Sequence, residues 1–405
     1  MPERLKKPRF RPGLFITAQS LDYILEDQLR LSPTITLNAL SFEFIRLFNG
    51  QRTLHEIHFQ VTQNRSGYPS IEDLARLVSE LDDCLYLDSR KFQELIFGPV
   101  RKPSCIGCYS EDPKIIASEL NRLFTADGGP GLPGEWGSRV ARDGEIQGLL
   151  VPHMDYGRGG TVYGWGYKEL VERSRARLFL IIATSHYSGE RFTLTRQNFA
   201  TPLGVVETDQ KLIDRLVELY GEGLFNDPIA HLPEHSIELE VLLLQHLIPE
   251  PIRIVPLLVG SYADCIEAGS TPESADDIQR MVRSLRKLAA EIQEPFCTII
   301  SGDLAHIGPK FDDPEPVNET VLAASRLQDR RILEAAEKAD AQAYYRVIQQ
   351  EQDRRRICGL PPTSLFLSAL QPGQGQLLKY DQYVHPEGFE SVSFAAMAFH
   401  SHRNL

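Results

Sequence analysis

Little in this chain points toward a membrane, a nucleic acid or an oxidising compartment. Its longest uninterrupted apolar run, LFLIIA at residues 178–183, is far short of the ~20 residues that a membrane-spanning helix needs. The basic start RLKKPRFR is not followed by an apolar stretch, so no secretory signal peptide is expected. Positive charge is in deficit: 43 Lys and Arg face 55 Asp and Glu, a formal net charge of −12. Such a surface repels phosphate backbones and anionic headgroups on average, so neither nucleic acid nor membrane is an expected partner. Cysteine is scarce as well. Cys84, Cys105, Cys108, Cys265, Cys297 and Cys358 are too few and too scattered for a disulfide framework, and the cytoplasm is the expected location. Cys105 and Cys108 form a lone C-x-x-C with no second pair at zinc-site spacing, and they read as two reduced thiols in a turn.

What is present suits a globular protein of more than one domain, because 405 residues exceed one ordinary hydrophobic core. Residues 1–12 read as a flexible tail. Residues 13–98 read as a small, helix-rich, winged-helix-like domain. Within it SPTITLNALSFEFIRLFNG sets Leu37, Leu40, Phe44 and Leu47 at helical spacing. Two further helices begin at capping boxes, Thr53 with Glu56 and Ser70 with Asp73. CLYLDSRKF reads as a short closing strand. Residues 99–118 are a proline- and glycine-punctuated join, and residues 119–405 alternate strand and helix patterns, the signature of an α/β domain.

Three apolar runs in that larger part end in polar turns: GLLVPHMDYG at His153, LFLIIATSHYSG at His186, and CTIISGDLAHIG at Asp303 and His306. Short, branched and bounded by turn residues, each run reads as a buried strand. In open α/β sheets ligands bind beyond the carboxyl ends of the strands, where these groups emerge. Imidazoles from separate strand ends can share one divalent ion and leave positions open for substrate. Asp303 and His306, three residues apart, suit acid/base work, since a carboxylate can orient an imidazole and raise its pKa.

Further motifs make the chain recognisable. VPHMDYG holds Pro152, His153 and Tyr156; FATPLGVVETD holds Thr201, Pro202, Leu203, Gly204 and Asp209; HLPEHSIELE holds His231, Glu234, His235, Ser236 and Glu238. SGDLAHIG and ICGLPP follow, with Asp303, His306, Cys358 and Gly359. In this order they resemble the Memo family, protein B of the AmmeMemoRadiSam system, over residues from about 100 to 405. Residues 13–98 resemble PqqD-like domains through Asn49, Gly50, Thr53, Glu56, Ile57, Leu87, Asp88, Arg90 and Phe92.

The resemblance implies a large domain with a mainly parallel sheet flanked by helices, similar to class III extradiol dioxygenase catalytic subunits. It implies a divalent metal, iron(II) first and zinc or copper as alternatives, held by His153 and His186, with Asp303 and His306 beside it as catalytic groups. Animal members carry a cysteine shortly before the last strand. The corresponding YDQYVHPEGFESVSFAA has none, so His385 is the expected third ligand and Asp381 the fallback. Tyr156, His231, Glu234 and His235 are the expected substrate contacts. The expected function is a metal-dependent, dioxygenase-like oxidoreductase. The alternatives are a non-catalytic metal- or peptide-binding partner of a radical SAM enzyme and, more weakly, a metal-dependent hydrolase with His306 as base. The implied partners are a radical SAM protein, component A of the same system, and a peptide at the N-terminal domain.

Overall fold

In a computed structural model, residues 6–63, 67–105 and 107–401 are described. The chain divides into two units, residues 1–101 and 102–405.

The small unit opens with a three-stranded antiparallel sheet, Leu14–Gln19, Asp22–Asp27 and Ile35–Asn38, that the sequence reading did not anticipate. Four helices follow: Ala39–Ile45, Leu54–Thr62, Ile71–Asp83 and Arg90–Phe97. Leu37 therefore sits in a strand, because Asn38 caps the helix immediately after it. Both capping boxes form. Glu56 N donates to Thr53 Oγ1 at 3.3 Å while the Glu56 carboxylate takes the Thr53 N–H at 2.7 Å, which satisfies two of the amides a helix start leaves orphaned. The expected closing strand is reduced to one bridge, Leu87 with Phe10, before Ser89 caps a helix. Nor are residues 6–12 a loose tail. Arg11 is buried and bonds Asp27 at 2.6 Å, because an unpaired guanidinium could not be left in that interior. Leu25, Phe44, Ile45, Ile57, Val78 and Leu81 form the unit's core.

The large unit is built on a mixed sheet, not a mainly parallel one. Its centre is parallel: Ile146–Val151, Phe296–Ser301, Leu178–Thr184 and Arg253–Val259 lie side by side in that order. Antiparallel strands flank it. Ser391–His400 pairs with Ile146–Val151 on one side, and carries the hairpin partner Gln374–Val384. Along Leu178–Thr184, Phe179, Ile181 and Ala183 join one apolar cluster while Leu180 and Ile182 join the other. Side chains alternate across a strand, so both faces of the sheet are buried under helices and the run has to be apolar throughout. The stretch at 325–355, whose sequence reads as helical throughout, instead falls in two helices, Glu319–Glu337 and Ala341–Gln350, broken where Ala339 takes a positive φ of 53°. No helix among the described residues is long and apolar enough to cross a membrane.

Register then sets the site. Ser301 pairs with Val151 on one side and Ala183 on the other. His153 and Asp303, each two residues beyond a paired strand end, are thus level, and His186 follows on the next strand. All three emerge at the carboxyl edge of the parallel strands.

Candidate metal centre

His153 lies at the middle of the constellation and is almost wholly buried. Its backbone N–H donates to Asp303 Oδ1 at 3.2 Å, and its Nδ1 lies 3.4 Å from Ser301 Oγ. Its Nε2 faces two other donors, Cys358 Sγ at 3.3 Å and Asp303 Oδ2 at 3.7 Å. Burial, helped by the neighbouring His186, pushes the imidazole down to about 3, so it is neutral at physiological pH. Burial also pushes the Asp303 carboxyl up to about 6 and the Cys358 thiol well above its ordinary value.

His186 is held differently. The carboxylate of Glu234, itself buried, accepts the His186 backbone N–H at 2.7 Å and lies 3.0 Å from the ring Nδ1. The same carboxylate accepts the backbone N–H groups of His235 and Ser236 at 3.0 and 3.1 Å. Burial disfavours the charged His186 ring, but the Glu234 charge outweighs it and raises the pKa. A proton fixed at Nδ1 leaves Nε2 as the free donor, the arrangement that orients a metal-bound imidazole. The His235 ring stacks on His186 at 4.9 Å and meets His153 edge-on at 5.4 Å; burial pushes it down to about 3.

Two sets of ligand atoms lie within 4.8 Å of one another among the described residues: His153, His186 and His235, and His153, Asp303 and Cys358. The donors fit a divalent ion. They are imidazoles, a carboxylate and a thiol whose buried anion would need a cation beside it. Imidazole with thiolate suits borderline and soft ions, zinc, iron(II) and copper, above magnesium or calcium.

The residue that the structure sets beside His153 and Asp303 is Cys358, where the sequence pointed to His385 or Asp381. His385 lies in the turn joining Gln374–Val384 to Ser391–His400, where its Nδ1 takes the Glu387 N–H at 3.2 Å, and it belongs to neither ligand set. Asp381 is an exposed residue on the outer strand of that hairpin. The thiol comes from the loop before helix Leu360–Leu370. A Cβ on Gly302 would stand 2.5 Å from the Gly359 Cα, so glycine at both positions lets the two loops touch and Gly359 N–H reach Asp303 O at 2.8 Å. The signal lay in ICGLPP, whose cysteine precedes a proline-initiated helix.

The other expected residues divide. His306 Nδ1 lies 3.1 Å from Leu304 O and 3.0 Å from Arg356 O. Two carbonyls at one nitrogen require a proton there, so Nε2 is the basic atom. Burial lowers the pKa of this ring, and Asp303 opposes that. Three expected substrate contacts do structural work. Tyr156 donates its hydroxyl to Leu239 O at 2.7 Å in the core, His231 is buried with Nε2 3.2 Å from Thr193 O, and Glu234 spends its oxygens on the two histidines. His235 was expected at the cleft, but as a substrate contact and not a potential ligand. Beside the centre is a cavity of about 320 Å³ lined by Ser185, His186, Tyr262, Arg356 and Cys358 among others.

Fold and site together define an α/β protein with histidines, a carboxylate and a cysteine gathered at the carboxyl edge of its parallel strands. A family model described as Memo-like protein matches residues 101–398, and the chain belongs to that family. It is similar to a MEMO1 family protein of Aquifex aeolicus, 24% identical over 392 residues that cover 93% of this chain and 96% of the relative. That coverage extends into residues 1–101. MEMO1 family proteins of Methanobrevibacter smithii and Methanopyrus kandleri are 26% and 27% identical, covering 67% and 74% of this chain and 88% and 98% of their own lengths.

Proposed function

We propose that the large unit is a metal-dependent oxidoreductase of the extradiol-dioxygenase type, with His153, His186 and Cys358 as protein ligands and iron(II) as the metal. One observation carries the reading: His153 Nε2 faces the Cys358 thiol at 3.3 Å while Glu234 fixes the neighbouring His186 through its Nδ1. Bound iron(II) would supply a Lewis-acidic, redox-active position for an oxygen-rich substrate. The chain's own groups manage the protons. His306, its Nδ1 tied to carbonyls, accepts a substrate hydroxyl proton at Nε2. Asp303, held near pH 6, stabilises the imidazolium so formed. The 320 Å³ cavity admits a small molecule alongside His186 and Cys358.

The test is anaerobic titration of iron(II) and zinc into the full chain, followed by oxygen uptake with catechol-type substrates. Tight binding together with uptake that His306→Gln abolishes supports the enzyme. Tight binding without uptake favours a second reading, a metal- and peptide-binding partner of a radical SAM enzyme within the AmmeMemoRadiSam system. That reading is favoured by the capped Thr53–Glu56 helix, which matches the PqqD-like pattern. In it the small unit presents the peptide.

A further inference from the structure

Cys105 and Cys108 stand apart from the metal ligands. Cys108 N–H donates to Cys105 O at 2.9 Å, a turn that brings the two cysteines together. Gly107 sits third in that turn with φ of +106°, a conformation that favours glycine, and a Cβ there would meet nothing within 4 Å. Such a turn keeps the two Cα atoms within about 7 Å, and a disulfide spans roughly 4.4–6.8 Å. The two sulfurs are hydrogen-bonded to each other and both residues are half-buried, within reach of solvent.

The flanks of the turn are fastened. The wholly buried Glu238 accepts the Ser104 N–H at 2.8 Å, the Ser104 hydroxyl at 3.0 Å, the Cys105 N–H at 3.0 Å and the Tyr109 hydroxyl. The pair can therefore change oxidation state on a fixed frame. Among the described residues no further His, Asp or Glu completes a three-ligand group with these cysteines, which argues against a zinc site. The hydrogen bond from Cys105 holds Cys108 below the ordinary cysteine value, against burial and the Asp155 and Glu238 charges and with help from Arg158. Cys265 and Cys297, buried, are pushed the other way.

We propose that Cys105 and Cys108 form a thiol–disulfide exchange site for low-molecular-weight disulfides, independent of the metal centre. Cys108 thiolate attacks one sulfur of the disulfide, forming a mixed disulfide and expelling one thiolate. Cys105 then loses its proton and attacks Cys108 Sγ, closing the intramolecular bond and expelling the second. The dithiol is oxidised by two electrons, the disulfide is reduced to two thiols, and the protons pass from the pair to the leaving groups.

The experiment equilibrates the full chain, without oxygen, against graded ratios of reduced and oxidised glutathione, traps free thiols by alkylation and reads the peptides by mass spectrometry. The expected result is a Cys105–Cys108 disulfide while Cys265 and Cys297 stay reduced. Cys108 alkylation should rise through a midpoint below the ~8.5 of an ordinary thiol, and Cys105→Ala should move that midpoint upward. Cys105→Ser, lacking a resolving sulfur, should instead retain one glutathione on Cys108. A pair that stays reduced at the highest glutathione disulfide ratio would overturn the proposal. So would an ordinary Cys108 midpoint, or zinc that co-purifies with the chain and is lost in Cys108→Ala.

Discussion

His153 and His186 have the same side chain, and each follows the carboxyl end of a central parallel strand, yet their environments push them in opposite directions. His153 is enclosed by the sheet edge and the Cys358 loop, and its pKa falls to about 3. His186 keeps 29% of its side chain exposed and leans on the Glu234 carboxylate, which raises its pKa. Desolvation rules the first and a fixed charge the second. One imidazole is thus a neutral donor at physiological pH, while the other holds a proton to higher pH than an ordinary histidine does.

The strongest way to break this comparison is to remove the enclosed ring. His153→Ala takes away the one residue common to both ligand sets. Iron(II) affinity should fall by at least ~100-fold, above the ~10–100-fold typical of outer-shell changes. Anaerobic calorimetry measures it, and a loss smaller than that of His235→Ala would place the centre on the wrong ring.

Glu234→Gln tests the other half. Affinity should fall by about 10–100-fold as His186 loses its anchor. The pH dependence of binding should also move to lower pH, because the charge that raised His186 is gone. Titrations at several pH values separate the two effects, and an unchanged pH profile would refute the role given to Glu234.

The third test sharpens the contrast in the metal-free protein. The folded pKa of His153 lies below its ordinary value of 6.5, so as pH falls below ~6.5 the unfolded chain takes up the proton first. Stability is therefore lost toward acid, by up to ~1.4 kcal/mol per pH unit for this one group. His186 has the opposite sign: its raised pKa contributes stability below ~6.5 that disappears as pH rises through the folded value. Urea unfolding of His153→Asn should show a flatter acid limb than the parent, and His186→Asn a steeper one. Parallel limbs would show that the two rings do not differ.

The smallest effect belongs to His385. Its Nδ1 serves a surface turn, so His385→Ala should leave iron(II) affinity unchanged by calorimetry. A clear loss would restore it as a ligand and demote Cys358.

The legible part of this protein was local. Runs such as LFLIIAT read as strands because both faces of the parallel sheet are buried and every position had to be apolar. The capping boxes at Thr53 and Ser70 formed because their hydrogen bonds close within four residues. Elsewhere, propensity could not resolve geometry. Leu37 fitted the helical spacing but belongs to a strand, and Ala339 breaks what read as one helix. Tyr156 and His231 looked functional by company, while their polar atoms serve backbone carbonyls.

By itself the sequence determined which side chains stand at strand ends, since alternation and turn residues fix where a buried strand stops. His153, His186 and Asp303 were readable on that ground. Only the tertiary structure decided which of them meet and what joins them. Strand order placed Phe296–Ser301 between the two histidine-bearing strands, and register set Asp303 level with His153. Cys358 reached the same point through the contact of Gly302 with Gly359, two loops 57 positions apart by residue number. Such proximity depends on packing between distant segments, and no spacing along the chain encodes it.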